Sequence, residues 1–212
     1  MIDTSKTYTS NSCGDFKIIE YKSHKDILVE FLLTGFKIVT QSSHIRRGKV
    51  KDKLYPKVFG VGFFGDGPYG SKVNSESANR RCYDSWHNMM ERCYGSRCPS
   101  YKNVTVCKEW HNFQNFAEWF DKHHIEGFHL DKDINQKGFE NKVYSPDVCI
   151  FVSRDDNIEE ALAKNYRMRA PCGLIHEIYN MAKFSRVKNL DPHCMTRVHS
   201  GGSGSHKGWT KA

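Results

Sequence analysis

The chain has 212 residues, and its 38% hydrophobic and 13% aromatic content is enough for one domain or two small ones with modest cores. Lys and Arg total 32 against 24 Asp and Glu, so the net charge is +8 and the pI is near 9.0, which favours a polyanionic partner. No apolar run approaches the roughly 18 to 20 residues that span a bilayer, and the N-terminus lacks the apolar segment of a signal peptide, so we expect an intracellular protein.

The first third of the chain predicts a small β module. We expect residues 1–14 to be a disordered leader. From Phe16 onward three β-rich runs follow, FKIIEY, DILVEFLLTG and FKIVTQ, and polar turns separate them. Residues 15–72 are therefore predicted to form a small antiparallel sheet or barrel.

A basic segment lies inside this module. Residues 44–53 include five Lys or Arg, which predicts either a phosphate-contacting edge or an ordinary solvated hairpin arm. The candidate DNA contacts are Arg46, Arg47 and Lys49. The glycine-rich stretch 58–71 lacks the Gly-Lys-Ser/Thr ending of a phosphate-binding loop, so it predicts a turn-rich strand and linker.

Two helices are predicted next. A helical pattern begins at Glu76, and its apolar side chains recur along one side at Tyr83, Trp86, Met89, Met90 and Cys93. After the apolar run 104–110, a second helix is predicted over Phe113–His123. Both should pack as a scaffold against the segment that follows, because a two-stranded ribbon is not stable alone.

That segment opens with a predicted strand at residues 128–134. His129, Asp131 and Asp133 stand at every second position, and apolar residues such as Leu130 alternate with them. Side chains two residues apart on a strand share a face. The strand is therefore predicted to carry one chemical face of imidazole and carboxylate groups.

A second strand and a helix are predicted after a polar loop. The apolar run 148–152 is followed by Ser153, which has the character of a helix cap for residues 157–164. In such a strand–strand–helix unit the end of the first strand faces the first turn of the helix, so Asp131 and Asn157 can share one hard cation. Oxygen ligands of this kind suit Mg²⁺ or Mn²⁺.

This order and spacing resemble the HNH superfamily of metal-dependent nucleases, whose ββα motif has Asp and His at the end of strand one and Asn or His on the helix. The run Leu130-Asp131-Lys132-Asp133 stands where the family has Asp-His, so Lys132 takes the place of the usual general base. Tyr144-Ser145-Pro146 followed by Asn157 is similar to rare-cutting HNH restriction enzymes, in which an Arg replaces that His. HNH-like phage proteins with Leu-Asp-Lys-Asp-Ile and Tyr-Ser-Pro are also similar. The resemblance implies a ββα-metal nuclease core over residues 73–168.

The resemblance leaves the general base open. Lysine is ordinarily protonated, so we expect Lys132 to neutralise charge in the transition state. His129, two residues from Asp131, is the better substitute for the base because histidine titrates near neutral pH. Asp133 is a candidate further ligand or an orienting group, and Tyr144 is a weaker catalytic candidate.

The cysteines in this region admit two interpretations. Cys93, Cys98, Cys107 and Cys149 can form a tetrahedral structural zinc site, as small HNH enzymes often do. However, the chain has no Cys-x-x-Cys pair, so buried thiols that pack as small hydrophobes are the alternative.

The C-terminal fifty residues predict a cationic module. Residues 163–212 hold nine Lys or Arg and two acids, a net charge of +7, and residues 170–173 are predicted to break the chain. Residues 179–201 predict a short helix, a turn and a second helix that begins at Pro192, which is helix-turn-helix spacing. Together with the closing His206-Lys207-Gly208-Trp209, this segment resembles the C-terminal DNA-binding repeat of phage and intron-encoded homing endonucleases. The candidate DNA contacts are His193, Thr196, Arg197, His199 and Lys207.

The sequence thus predicts an α+β protein with a β module, an HNH-like core and a helix-turn-helix over residues 171–212. Its predicted activity is Mg²⁺-dependent cleavage of double-stranded DNA by a homing-like or nicking phage enzyme. The first alternative is a catalytically degenerate HNH-fold protein that only binds DNA. An RNA-binding accessory protein is a third hypothesis. It is disfavoured because the C-terminal module is suited to a major groove, and the major groove of A-form RNA is not open to side chains.

Overall fold

The computed structural model describes residues 2–70 and 78–212. The start predicted at Glu76 for the first helix lies outside these residues. The fold is mixed α and β, as predicted, and divides into two compact units: Met1–His124 with Asn135–Ile150, and Ile125–Ile134 with Phe151–Ala212. None of the helices in the described ranges is long and apolar enough to cross a membrane.

The regular elements of both units are numbered here in chain order. They are β1 (Thr7–Ser10), β2 (Gly14–Ser23), β3 (Asp26–Phe31), β4 (Lys37–Thr40), α1 (Ser42–Arg46), α2 (Ala78–Tyr94), β5 (Val104–Val106), α3 (Phe113–His123), β6 (His129–Asp131), β7 (Lys142–Tyr144), β8 (Ile150–Val152), α4 (Arg154–Leu162), β9 (Tyr166–Arg169), β10 (Ile175–Ile178), α5 (Met181–Val187), α6 (Pro192–His199) and β11 (Thr210–Lys211).

The first unit begins with a four-stranded antiparallel sheet in the order β1-β2-β3-β4, which confirms the predicted sheet. Strand β3 shows why: Ile27, Val29 and Phe31 are fully buried, and the residues between them are partly exposed. This period of two places one apolar face of the strand on a core. Ile45 of α1 completes that core from the end of the sheet.

The N-terminal residues are part of this sheet, which corrects the predicted disordered leader over residues 1–14. Strand β1 pairs with β2, and the Tyr8 ring stacks on Phe16 with the ring centroids 6.0 Å apart. The buried Ser10 hydroxyl donates to the Val50 carbonyl oxygen at 2.6 Å. One aromatic ring and one buried hydroxyl anchor a segment whose composition is otherwise polar.

Helices α2 and α3 pack against each other in the first unit. The predicted apolar stripe of α2 is buried at Trp86, Met89 and Met90, and the Trp86 indole donates to the Trp110 carbonyl oxygen at 2.7 Å. Helix α3 has the predicted bounds, because the Asn112 side chain caps it by accepting from the Gln114 amide at 3.0 Å.

A short strand lies within the predicted polar loop between the two central strands. Strand β7 pairs in parallel with β5. The Gln136 side chain extends this ladder, since its amide donates to the Val143 carbonyl oxygen at 2.8 Å and its oxygen accepts from the Val143 amide at 2.9 Å. A three-residue strand held by a side-chain amide has too little periodicity to be read from the sequence.

The second unit contains a strand–strand–helix segment and a cationic module. Strands β6 and β8 form a two-stranded sheet, and α4 packs against β6. Strands β10, β9 and β11 form an antiparallel sheet, and α5 and α6 pack around a core that includes Met168, Met195 and Trp209. The predicted chain break at 170–173 is instead the turn of the β9–β10 hairpin, closed by the Ala170 amide donating to the Leu174 carbonyl oxygen at 2.8 Å.

The anchoring of β1 can be tested with Tyr8→Ala. The substitution removes the stack on Phe16 and the hydrogen bond from the Tyr8 hydroxyl to the Asp3 carbonyl oxygen. We expect a loss of about 1 kcal/mol, which lowers the melting temperature by roughly 2–4 °C in thermal unfolding. Lys6→Ala, at an exposed neighbouring residue, is the control. Equal melting temperatures for the two variants would support the original prediction that residues 1–14 are disordered.

Candidate functional site

The carboxylate of Asp131 is fixed at the end of β6. Its Oδ1 atom accepts from the backbone amides of Asp133 and Ile134, each at 2.8 Å, and so turns the chain into a 3-10 helix at Ile134–Gln136. Asp131 is only 7% exposed. No hydrogen-bond donor within residues 2–70 and 78–212 meets its Oδ2 atom. One oxygen therefore orients the carboxylate and the other is left for a ligand.

The residue that follows Asp131 in the sequence, Lys132, is also buried. Its Nζ atom is 2.8 Å from Oδ2 of Asp133, and the lysine side chain is 6% exposed whereas the aspartate side chain is 46% exposed. A buried charge is retained when a partner compensates it. Paired in this way, Lys132 supplies positive charge and has no lone pair to accept a proton from water.

The predicted single chemical face of the first strand is only partly present. His129 and Asp131 lie two residues apart on β6, but the histidine is exposed and the aspartate is buried. Strand β6 ends at Asp131, so Asp133 lies in the turn and does not continue the face. Of the predicted catalytic groups, His129 and Asp133 have side chains open to solvent, whereas Lys132 and Tyr144 are buried.

Asn157 lies in the first turn of the helix that packs on β6. The Ser153 hydroxyl oxygen caps α4 by accepting from the Asp156 amide at 3.1 Å, as predicted. Asn157 is half-buried, and its side-chain amide makes no hydrogen bond within the described part of the chain. Packing of α4 against β6 brings the helix that bears Asn157 to the strand that ends at Asp131.

Tyr144 has a structural environment instead of the predicted catalytic one. It belongs to the first unit, is 2% exposed and forms hydrogen bonds with the side chains of Tyr101 and Arg92. Burial raises the pKa of Tyr144 well above its ordinary value, and the nearby Tyr101 adds to the rise. A phenol that is enclosed and held neutral does not reach a substrate phosphate.

The candidate zinc ligands are not assembled into a recognisable site. Over residues 2–70 and 78–212, no three His, Cys, Asp or Glu side chains form a group that could hold a metal ion. Burial raises the pKa of Cys107, which favours the thiol over the thiolate that zinc requires. Cys93, Cys98 and Cys149 are not in disulfides, and Cys149 is buried. Structural zinc and packed thiols both stay as interpretations of this region.

The predicted DNA contacts of the C-terminal module are mostly on its surface. Asp191 caps α6 by accepting from the Cys194 amide, and Asn189 has a positive φ of 51° in the turn between α5 and α6. His193, Thr196 and Arg197 are exposed on α6. His199 and Lys207 are partly engaged: the first contacts the Tyr166 ring edge-on and the second donates to the Asn189 carbonyl oxygen at 2.9 Å.

All nine Lys and Arg of residues 163–212 are exposed. Two of them pair with carboxylates, Arg167 with Glu177 and Arg186 with Glu159, and the other seven have no carboxylate partner within the described residues. The arginines of β9 belong to the predicted cationic module but were not among the predicted DNA contacts. Their signal is a period of two, with Arg167 and Arg169 exposed on either side of the buried Met168.

Three contacts, which the sequence gave no sign of, join α4 to the cationic module of the same unit. Arg186 of α5 pairs with Glu159, the Tyr179 hydroxyl donates to Glu160 Oε1 at 2.6 Å, and the Asn180 amide donates to the Glu159 carbonyl oxygen at 3.4 Å. The helix that bears Asn157 is thereby attached to the first helix of the module.

The basic segment of the first unit ends a helix and is not a hairpin arm. Arg46 is the last residue of α1, and Gly48, at φ 62°, closes the helix by donating to the Ile45 carbonyl oxygen at 3.1 Å. Arg46, Arg47 and Lys49 are exposed, as a phosphate-contacting edge requires.

Comparison with known proteins adds little to this geometry. No protein-family model matches the chain, and no curated protein matches it. A solved structure of the HNH homing endonuclease I-HmuI, described for its DNA binding and cleavage, is similar at 11% sequence identity and a TM-score of 0.22, over 99% of this chain and 88% of that one.

The structural role of Tyr144 predicts how stability depends on pH. Because its pKa is raised on folding, its contribution is fully present below the ordinary tyrosine pKa of about 10 and is lost as the pH rises above that value. Tyr144→Phe should cost about 1 kcal/mol at neutral pH through the lost hydrogen bonds. In denaturant titrations it should also flatten the decline in stability above pH 10. The exposed Tyr21→Phe is the control and should change neither, and an unchanged alkaline slope for Tyr144→Phe would contradict the assignment.

Proposed function

We propose that this protein is a divalent-metal-dependent DNA endonuclease of HNH type, with its candidate cleavage site on β6, β8 and α4. The observation that supports this most is the carboxylate of Asp131. It is buried, aimed by two backbone amides and has one oxygen without a protein donor, on the strand against which α4 packs. The turn uses only one of the two oxygens, and the other is available to a ligand.

The donor set fits a small hard cation. Asp131 offers one carboxylate oxygen, and Asn157 offers an amide oxygen that no described residue engages. Mg²⁺ is commonly held by one or two protein oxygens and keeps several waters and substrate phosphate oxygens as its other ligands. A two-ligand site is thus adequate for Mg²⁺ or Mn²⁺. When bound, such an ion polarises the scissile phosphate and stabilises the leaving oxygen.

The other side chains have separate roles in this proposal. His129, exposed on the same strand, accepts the proton of the attacking water. Lys132, held by Asp133, contributes fixed positive charge near the phosphate. Exposed cations of the module position duplex DNA through its phosphates, and α6 presents His193, Thr196 and Arg197 to base edges in the major groove, as in a helix-turn-helix.

One observation favours the alternative of a DNA-binding protein that no longer cleaves. Lys132 stands where the resemblance places the general base, and it is buried and ion-paired. If His129 cannot reach the attacking water, no base remains on this strand. Both proteins bind DNA, but only the nuclease cleaves it in the presence of Mg²⁺ or Mn²⁺.

The variant Asp131→Asn tests the cleavage site. The amide oxygen of asparagine can still accept from the Asp133 and Ile134 amides, so the turn should survive, but the negative charge for the cation is lost. We expect plasmid nicking in Mg²⁺ or Mn²⁺ to fall at least a hundredfold, with unchanged DNA affinity measured in chelator.

The control for this experiment is Asp147→Asn, an exposed aspartate of the first unit. It should leave nicking unchanged. Nicking by Asp131→Asn at the wild-type rate would reject the site assignment. No nicking by the wild-type protein in either metal, together with tight DNA binding, would establish the degenerate alternative.

Division of labour in the DNA interface can be tested with Arg197 and Lys188. Both are exposed and neither has a carboxylate partner within residues 2–70 and 78–212, but Arg197 lies on α6 and Lys188 follows α5. Arg197→Ala should cost roughly 1–3 kcal/mol at one base position, measured by competition among single-base variants of a selected site. Lys188→Ala should weaken binding to all sequences equally and lower the slope of log affinity against log salt concentration by about 1. Identical sequence profiles for Arg197→Ala and wild type would move recognition away from α6.

A further inference from the structure

A cleft in the first unit has no role in the cleavage proposal. It has a volume of about 590 Å³ and lies between the N-terminal sheet, the chain after it and α2. This volume is within the range of sites that hold small molecules in proteins, about 300 to 1,000 Å³. The cleft is large enough for a compact ligand to be enclosed on several sides.

The walls of the cleft are aromatic. Tyr55, Phe64, Tyr83 and Trp86 line it, and Tyr55 is half-buried. The Tyr55 hydroxyl makes no hydrogen bond within the described ranges. Trp86 is fully buried, and Phe64 and Tyr83 pack on Phe113, so the half-buried Tyr55 is the ring of the cleft best placed for a flat, polarisable ligand to stack on.

The charge of the cleft is positive. Lys51, Lys53 and Lys57 line it together with Asp52. Lys53 is paired with Asp66 at 2.6 Å, and both Asp52 oxygens are engaged: Oδ2 accepts from the Thr34 hydroxyl at 2.6 Å and Oδ1 from the Leu54 amide at 2.7 Å. Lys53 and Asp52 are therefore engaged within the protein, and Lys51 and Lys57 are the other two lysines of the cleft.

Lys51 and Lys57 are exposed and have no carboxylate partner within residues 2–70 and 78–212. Two uncompensated ammonium groups beside aromatic walls are complementary to a ligand that joins an anion to a planar ring. A nucleotide, in which a sugar links a phosphate to a planar base, has this chemistry. Proteins that bind single-stranded nucleic acid combine the same two features, a basic groove and aromatic side chains on which bases stack.

We propose that this cleft binds an unpaired nucleotide of a DNA strand, with the base against Tyr55 and the flanking phosphates against Lys51 and Lys57. The site goes beyond the proposed cleavage, since it involves neither Asp131 nor a metal ion. An unpaired nucleotide is favoured over a base in a duplex because a base can lie against the ring walls only when it is outside the helical stack.

The test measures binding of a labelled thymidine oligonucleotide of about six residues, within the site sizes known for single strands. Fluorescence anisotropy with the full-length protein in chelator excludes cleavage, so failure here is separate from failure of the nuclease proposal. Lys51→Gln with Lys57→Gln should lower the salt slope by about 1.4, which corresponds to two phosphate contacts on a single strand. Tyr55→Leu should weaken binding at least fivefold, as expected for one lost base stack.

Lys102→Gln is the matched control for the lysines, because Lys102 is exposed in the same unit and does not line the cleft. It should change neither the affinity nor the salt slope. Thermal unfolding of Tyr55→Leu identifies a loss of affinity that is due to misfolding. If that variant is destabilised, Tyr55→Phe, which keeps the ring, should bind as wild type does.

Two further ligands separate the outcomes. An abasic strand of the same length should bind weakly and without dependence on Tyr55. If it binds as well as the thymidine strand, or if the cleft variants bind like wild type, the proposal is overturned. If thymidine monophosphate competes as strongly as the strand, the cleft is a site for a free nucleotide, and the strand as its source is rejected.

Discussion

The candidate site depends on one carboxylate oxygen that accepts hydrogen bonds from two backbone amides. Oδ1 of Asp131 stops β6 and starts the turn toward Asn135, where the chain passes from the second unit to the first. An apolar residue at this position would leave two amides without an acceptor, at a cost of roughly 1–3 kcal/mol each if they are buried. The same side chain therefore has a local structural function and, in our proposal, a catalytic one. A loss of activity at this position is informative only when the substitution keeps the acceptor oxygen.

The neighbouring residues show how a change of one side chain alters the chemistry available to the fold. Lys132 brings a cation into a buried position, and Asp133 compensates it from a more exposed one. This pair fixes a positive charge on the residue that follows Asp131, whose carboxylate is proposed to hold a metal ion. The arrangement is suited to binding a phosphate. In our proposal an imidazole accepts the proton of the attacking water, and His129 is the imidazole on this strand.

Much of the fold could be predicted from the sequence, and the successes share a physical cause. Helix α3 and the stripe of α2 are amphipathic over several turns, and α4 and α6 have side-chain caps that are visible in the sequence. The failures are elements held by few or distant contacts. Strand β1 depends on Tyr8 and Ser10, β7 is three residues long, and β9 alternates arginine with a single buried methionine.

The sequence proposes the residues of the candidate site but gives little information on their surroundings. Spacing proposed Asp131 and Asn157, but β6 ends at Asp131 instead of the predicted residue 134, and α4 begins at Arg154 instead of the predicted residue 157. Spacing gave no information on burial, so it did not separate the exposed His129 from the enclosed Tyr144. It also did not show that Glu159 and Glu160 attach α4 to the cationic module, because these contacts join residues about twenty or more positions apart.

The ion pairs Arg167–Glu177 and Arg186–Glu159 limit what the cationic module can contribute to DNA binding. Arg167 and Arg186 are already matched with carboxylates of the protein, so a phosphate that meets either of them exchanges one anion for another and releases no counterion on its behalf. Seven of the nine cations remain for exchange. Each neutralised phosphate releases about 0.9 counterions, so the cationic module can give a slope of log affinity against log salt concentration of no more than about 6 in magnitude. A larger exponent for the whole protein would have to come from cations elsewhere in the chain.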